Sequence, residues 1–149
     1  MADDILEMRR RLEASRSKGD FKRGEGGIVD VEFAVQMLQL RYASEHPAML
    51  STNILESISR IRSHKILDDS VLETLAEGYI YLRTIQNRIS AIANVSRESL
   101  PEDQTELQIL AQRMLGDRNG DLVQELRDNI DKRRKAIRSA LNRVAESCR

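Results

Sequence analysis

Apolar side chains recur every three or four positions along almost the whole chain, the spacing of helices that bury one face. A first helix, at about residues 3–17, carries Ile5, Leu6, Met8 and Leu12 against the basic run Arg9–Arg11. Residues 18–27 break the pattern with four of the seven glycines: Gly19, Gly24, Gly26 and Gly27. A second helix, at about 28–44, has Ile28, Val31, Val35, Leu38 and Tyr42 on one stripe and Phe33, Met37 and Leu40 on another. Two apolar stripes make it the central helix of the core. Beyond Pro47, a third helix runs from about Asn53 to His64, with Asn53 and Glu56 spaced as a capping box. Ser70 and Glu73 form a similar pair at the start of the longest pattern, at about 71–96. Its stripe is Leu72, Leu75, Tyr79, Leu82, Gln86, Ile89 and Ala93, alternating steps of three and four. After Pro101, a helix at about 103–115 stops at Gly116, and a last one from about Asp121 presents Val123, Leu126, Ile130, Ile137, Leu141 and Val144. The expected fold is an all-α bundle of five or six helices. It forms one helical domain over residues 1–149, with the bundle proper at 28–147.

One stretch also fits another period. Val29, Val31, Phe33 and Val35 alternate with Asp30, Glu32 and Ala34, as on a half-buried strand that would turn Asp30 and Glu32 to one face. The helical stripe continues through Leu38 and Tyr42, so the helix is preferred. On a helix, Asp30 and Glu32 stand about 200° apart and cannot chelate one ion by themselves.

Composition narrows the function classes. Lys plus Arg and Asp plus Glu both number 24, for a formal net charge of zero, so no global field gathers nucleic acid or an anionic membrane. Aromatic residues make up only 3%, with no Trp, which argues against base-stacking platforms. The single cysteine, Cys148, excludes a disulfide framework and a cysteine-rich zinc site, and it falls where the last helix is expected to fray. With only His46 and His64, no metal site is expected in this chain. No apolar run reaches a membrane span of about 20 residues, and the first 20 residues lack a signal peptide's apolar stretch. A cytoplasmic protein without a nucleic-acid or membrane partner is expected.

Candidate chemistry concentrates at the glycine loop. Lys22-Arg23-Gly24-Glu25-Gly26-Gly27 leads into the N-terminus of the central helix, where N–H groups and two cations suit a phosphate or carboxylate. No Gly-Lys-Ser/Thr follows, so this is not a Walker loop, and a tight packing turn is the alternative. Asp30 lies in the helix's first turn, and Glu32, Gln36 and Gln39 form a polar stripe. That stripe either lines a cleft or bonds to a neighbouring helix. Arg83, on the long helix with Gln86 and Arg88 nearby, either pairs with Asp30 or Glu32 or reaches an anionic ligand. Asp117, Asn119 and Asp121 lack the glycine offset and closing glutamate of a calcium loop. Lys132, Arg133, Arg134, Lys135 and Arg138 read as a solvated helix face. No nucleophile–base set is visible, so no catalytic residue is assigned.

The string Phe21-Lys22-Arg23-Gly24-Glu25-Gly26-Gly27-Ile28-Val29-Asp30-Val31-Glu32-Phe33, continued by Val35-Gln36 and Leu38-Gln39-Leu40, resembles the signature of the bacterial glutamine synthetase adenylyltransferases. These two-headed enzymes, also called glutamate–ammonia-ligase adenylyltransferases, attach and remove AMP on glutamine synthetase. Pro47 with Leu50, Asn53, the run Tyr79, Tyr81, Leu82, Arg83 and Arg88, then Leu100-Pro101, Leu110-Ala111 and Met114-Leu115-Gly116 are similar to later family segments, in the right order. The resemblance covers about residues 4–145.

The resemblance implies the helical domain that follows a nucleotidyltransferase domain and packs against it. Lys22, Gly24, Gly26 and Gly27 would then border nucleotide phosphates, with Asp30, Glu32, Gln36 and Arg83 lining or supporting the shared cleft. ATP and Mg2+ are implied for the parent enzyme and neither for this chain alone, which is expected to be inactive because the paired-aspartate motif is not among these residues. Implied partners are the nucleotidyltransferase domain, glutamine synthetase and a nitrogen-regulatory signal protein. The alternatives are a non-enzymatic docking module or a domain of a related signal-protein uridylyltransferase. Gln86-Asn87 and Ser96-Arg97-Glu98 depart from the family's Glu-His and Gln-Thr-His.

Overall fold

The computed structural model describes residues 1–15, 19–93 and 97–149. Among them six α-helices follow in order: α1 (Ala2–Ala14), α2 (Ile28–Tyr42), α3 (Ile54–Ser63), α4 (Asp69–Ala93), α5 (Gln104–Leu115) and α6 (Leu122–Ser147). A single 3-10 turn, Pro47–Met49, separates α2 from α3. The fold is the all-α bundle that the periodicity predicts, and the strand-like stretch at 29–35 lies within α2. The expected last residues of the first and fourth helices, 16–17 and 94–96, lie outside the described residues, as do Lys18 and Ser96 of the flanking segments.

Helices α2, α4 and α6 pack on one another, with α1 against α2 and α6, α3 against α2 and α4, and α5 against α4 and α6. The stripe read on α4 is the buried one: Leu72, Leu75, Leu82 and Ile89 are sealed, and Gln86 is nearly so. On α6, Leu126, Ile130, Ile137, Leu141 and Val144 are buried in the same way. In α2, Ile28, Val31, Val35, Met37 and Leu38 are buried, whereas Leu40 is exposed. Its neighbour Gln39 turns inward instead, donating from Nε2 to Ser57 Oγ at 3.1 Å and to the Ser51 carbonyl at 3.2 Å. Gln39 thus bonds to a neighbouring helix, while Gln36 on the same stripe is exposed.

The caps follow local chemistry. Asn53 Oδ1 accepts from the Glu56 N–H at 3.0 Å, and Gly116 ends α5 with its N–H on the Gln112 carbonyl at 2.8 Å. Ser70, by contrast, is inside α4 rather than at its cap. The helix opens earlier, at Asp69, with the Val71 and Leu72 N–H groups on the Asp68 carbonyl. Asp68 and Asp69 place negative charge at the positive end of the macrodipole, which favours the earlier start.

Cys148 is not frayed. It is buried, 3.9 Å from the Met37 carbonyl, and its N–H caps the last turn of α6. Burial pushes its thiol up from the ordinary value of 9.0, against the pull of Ser147 and Arg41. The thiolate fraction at neutral pH is lowered accordingly. Native Cys148 is expected to react with a disulfide reagent roughly tenfold or more slowly than in urea-unfolded chain. Equal rates would show that the end of α6 opens readily.

Candidate functional site

Helix α1 sits on the bundle the wrong way round for a simple amphipathic helix. Arg9 is 1% exposed, while Met8 and Leu12 are 54% and 48% exposed. Met8 and Leu12 therefore face out and Arg9 faces in, against the expected arrangement, while Ile5 and Leu6 still pack on the core and Arg10 and Arg11 stay exposed. The reason is Asp30, 0% exposed in the first turn of α2. A buried carboxylate needs countercharge and hydrogen bonds. Arg9 Nε donates to Asp30 Oδ1 at 2.6 Å, and Arg138 Nε from α6 donates to Oδ2 at 2.8 Å. The Gly26 N–H adds a third bond to Oδ2 at 2.8 Å. Glu13 accepts from Arg138 Nη2 at 2.5 Å and lies 3.8 Å from Arg9 Nη1. Two guanidiniums and two carboxylates thus make a neutral knot joining α1, α2 and α6. Burial pushes the Asp30 carboxyl up from its ordinary 3.8, while Arg9, Arg138 and the Gly26 N–H pull it down. Desolvation works to lower Arg138, but Asp30 and Glu13 outweigh it and hold its guanidinium above the ordinary value.

The same knot threads the glycine loop. Arg9 Nη2 donates to the Arg23 and Gly24 carbonyls at 2.7 and 2.9 Å. Arg134 donates to the Glu25 carbonyl at 2.9 Å and the Asp20 carbonyl at 3.2 Å. Burial pushes Arg134 below its ordinary value, opposed by Asp131, Asp20, Asp30 and Glu25. The basic run on α6 is therefore not wholly a solvated face: Arg134 and Arg138 turn into the bundle, spaced i to i+4 on one side of the helix.

The loop's backbone donors, Glu25 apart, are engaged within the protein. Asp20 Oδ1 accepts from the Lys22 and Arg23 N–H groups at 2.9 and 2.8 Å. The Gly24, Gly27, Ile28, Val29 and Asp30 N–H groups bond to carbonyls of residues 20–27. Gly26 has φ +69°, and a Cβ there would lie 2.0 Å from the Arg134 carbonyl oxygen. At Gly24 and Gly27 the same position meets the Asp20 and Lys22 carbonyl oxygens at 2.2 and 2.6 Å. The space that glycine leaves is filled by protein, and the loop does not fit a backbone phosphate cradle. Its side chains remain for an anion. Lys22 is about one-third exposed, with Nζ 3.4 Å from Glu98 Oε1, and the Phe21 N–H holds the Glu98 carbonyl at 2.8 Å.

Arg83 joins none of this. It donates to Gln86 Oε1 at 3.1 Å and the Tyr79 hydroxyl at 3.3 Å, and its guanidinium lies 5.5 Å from the centre of the Tyr79 ring. Both acidic partners considered for it are elsewhere: Asp30 is taken by Arg9 and Arg138, and Glu32 is half-buried on α2. Of the sequence-derived set, the structure brings together Gly24, Gly26, Gly27 and Asp30. Lys22 lies on the loop's rim, and Gln36 and Arg83 are exposed. Arg9, Glu13, Arg134 and Arg138 also belong to the site, and the sequence does not single them out. Their signal was faint: Arg9–Glu13 and Arg134–Arg138 are both i, i+4 charged pairs on helices with apolar residues to spare.

These features define an all-α helical domain whose first helix and glycine loop are clipped to the bundle by buried charge. Among the described residues, no three His, Cys, Asp or Glu side chains are grouped to hold a metal. Comparison with known proteins makes this specific. A family model described as GlnD PII-uridylyltransferase matches residues 1–145, and the chain belongs to that family as a helical domain. It is similar to a bifunctional glutamine synthetase adenylyltransferase/adenylyl-removing enzyme of Xanthobacter autotrophicus, with 32% identity over 74% of this chain. The chain spans 12% of that relative's length. The expected adenylyltransferase resemblance is thus met by that relative, while the family model carries the uridylyltransferase description.

Replacing Asp30 with alanine strands the buried Arg9 and is expected to cost about 3–5 kcal/mol, read from urea unfolding. Arg83→Ala, at an exposed site, should cost less than about 1 kcal/mol. Equal midpoints for the two variants would refute the knot as the fold's anchor. Gly26→Ala adds a left-handed strain to a backbone clash and is expected to cost about 2–5 kcal/mol in the same assay.

Proposed function

We propose that this chain is the helical accessory domain of a glutamine synthetase adenylyltransferase, packed beside a nucleotidyltransferase domain of the same polypeptide. In that place it supports ATP-dependent transfer of AMP to glutamine synthetase, or its removal. The observation that carries the reading is the inverted first helix. Met1, Met8 and Leu12 lie within about 40° of arc on the side of α1 that the bundle leaves uncovered. A stripe of that kind on a domain that makes up a small part of a longer relative fits an interdomain contact. We assign the adenylyltransferase activity named for the relative to the neighbouring domain.

In this arrangement ATP and Mg2+ belong to the neighbouring domain, which supplies the metal ligands. Lys22 borders the phosphate side of the nucleotide through its ammonium, not through the loop's backbone. Gly24, Gly26 and Gly27 let the loop close tightly enough to present it, and Asp30 holds the loop in place. Glu32 and Gln36 face the cleft from α2, and Arg83 stiffens α4 without touching the nucleotide. The chain by itself is inactive, and glutamine synthetase or a nitrogen signal protein meets the assembled enzyme.

The test uses the full-length enzyme that contains this domain. Met8→Glu with Leu12→Glu is expected to lower AMP transfer to glutamine synthetase by about tenfold or more, while the isolated domain keeps its unfolding midpoint. Unchanged transfer would place the interface elsewhere. Lys22→Ala should weaken ATP binding, and if affinity and rate both survive, the loop is a packing turn alone. A second reading, a helical domain of a signal-protein uridylyltransferase, is favoured by the family model's description. Assays of that enzyme on both proteins, with ATP and with a uridylyl donor, separate the two.

A further inference from the structure

A groove of about 410 Å³ runs between α4 and α6 and has no part in the loop or the knot. Glu77 and Tyr81 line it from α4, and Asn129, Lys132 and Arg133 from α6. The Tyr81 hydroxyl is shut off from solvent and has no hydrogen-bond partner. A buried donor left unmade costs on the order of 1–3 kcal/mol, so such a group calls for an explanation. The Arg133 guanidinium lies 5.1 Å from the centre of the Tyr81 ring and reaches Glu77 Oε2 at 3.4 Å. Glu77 and Arg133 are both well exposed, so that bridge is weak and easily exchanged. Lys132 has no carboxylate partner among the described residues, and the Asn129 amide makes no hydrogen bond there. Two cations against one carboxylate leave the groove positive. Burial pushes the Tyr81 phenol up from its ordinary 10.0, against the pull of Arg133, so it stays a neutral donor.

We propose that this groove binds a small anionic group, a phosphate or a carboxylate. Arg133 leaves Glu77 and the face of the Tyr81 ring to meet the ligand, Lys132 supplies a second charge, the Asn129 amide donates a hydrogen bond, and the Tyr81 hydroxyl, uncovered by that movement, donates another. The volume lies within the range of small-molecule sites, about 300–1,000 Å³. The inference does not depend on which transferase contains the domain, because none of these residues touches the loop or the outer stripe of α1. It also gives the stretch at 132–138 two separate tasks on opposite sides of α6: Arg134 and Arg138 serve the knot, and Lys132 and Arg133 serve the groove.

Calorimetric titration and thermal unfolding of the chain test this at constant ionic strength in chloride. One arm uses inorganic phosphate and the other citrate as the carboxylate probe. Saturable binding below about 10 mM in either arm, with a rise in the unfolding midpoint, is the expected result, and the stronger arm identifies the chemistry. Arg133→Gln and Lys132→Gln should each weaken binding by about tenfold or more, and Tyr81→Phe should weaken it without lowering the midpoint of the free chain. Arg10→Gln, on the exposed side of α1, should bind as the parent does. No saturable binding in either arm would overturn the proposal. So would equal binding by the Arg133→Gln and Lys132→Gln variants, which would mark a diffuse surface effect.

Discussion

A carboxylate placed where water cannot reach it has to be answered by cations and N–H groups, and most of this domain's architecture answers Asp30. Its partners lie 21 residues before it and 108 after it, on two helices that also pack on the apolar core. Leaving it ionised and alone in the interior would cost several kcal/mol. Arg9 and Arg138 offset that cost, and Glu13 balances their excess charge. The glycine loop is drawn into the same arrangement through its carbonyls. The seating of α1, the path of residues 20–27 and the rotation of α6 about its axis are therefore one coupled feature.

Apolar spacing made most of the helices legible, because helices that bury one face must repeat at 3.6 residues. The heptad-like run of α4 and the inner face of α6 were readable residue by residue. Periodicity failed where charge, not burial of apolar area, decided the orientation. On α1, the apolar stripe looked like the inner face, but the buried positions are Ala2 and Arg9. Leu40 misled in the same way, because Gln39 had three acceptors waiting on and near α3 and took the inward position. Ion pairs between residues more than a hundred positions apart leave no periodic trace. The sequence marks Asp30 without marking its partners, and the pairing open to Arg83 is filled by Arg9 and Arg138.

The glycine loop shows how one composition serves two purposes. Glycines before a helix suit a phosphate because they bare N–H groups, and they suit a packing turn because they admit a neighbouring chain. Here the neighbouring chain is α6, whose Arg134 carbonyl oxygen occupies the place of a Gly26 side chain. What the loop still offers outward is Lys22, and that ammonium is shared with Glu98. Glu98 stands in the segment that departs from the adenylyltransferase pattern. The departure and the loop therefore touch, and a change at either alters the charge presented by the other.

The reversed seating of α1 has a bearing on how the domain responds to its medium. Exposed ion pairs fade as salt rises over a Debye length of about 8 Å, whereas buried ones are much less screened. The Arg9–Asp30 contact that holds α1 to the bundle is of the buried kind, and the Met8 and Leu12 surface it turns outward is apolar, which salt strengthens if anything. Attachment inside and adhesion outside are thus both insensitive to ionic strength. Anything that is to part this helix from a neighbour has to compete for apolar surface, as an amphipathic segment or a detergent does.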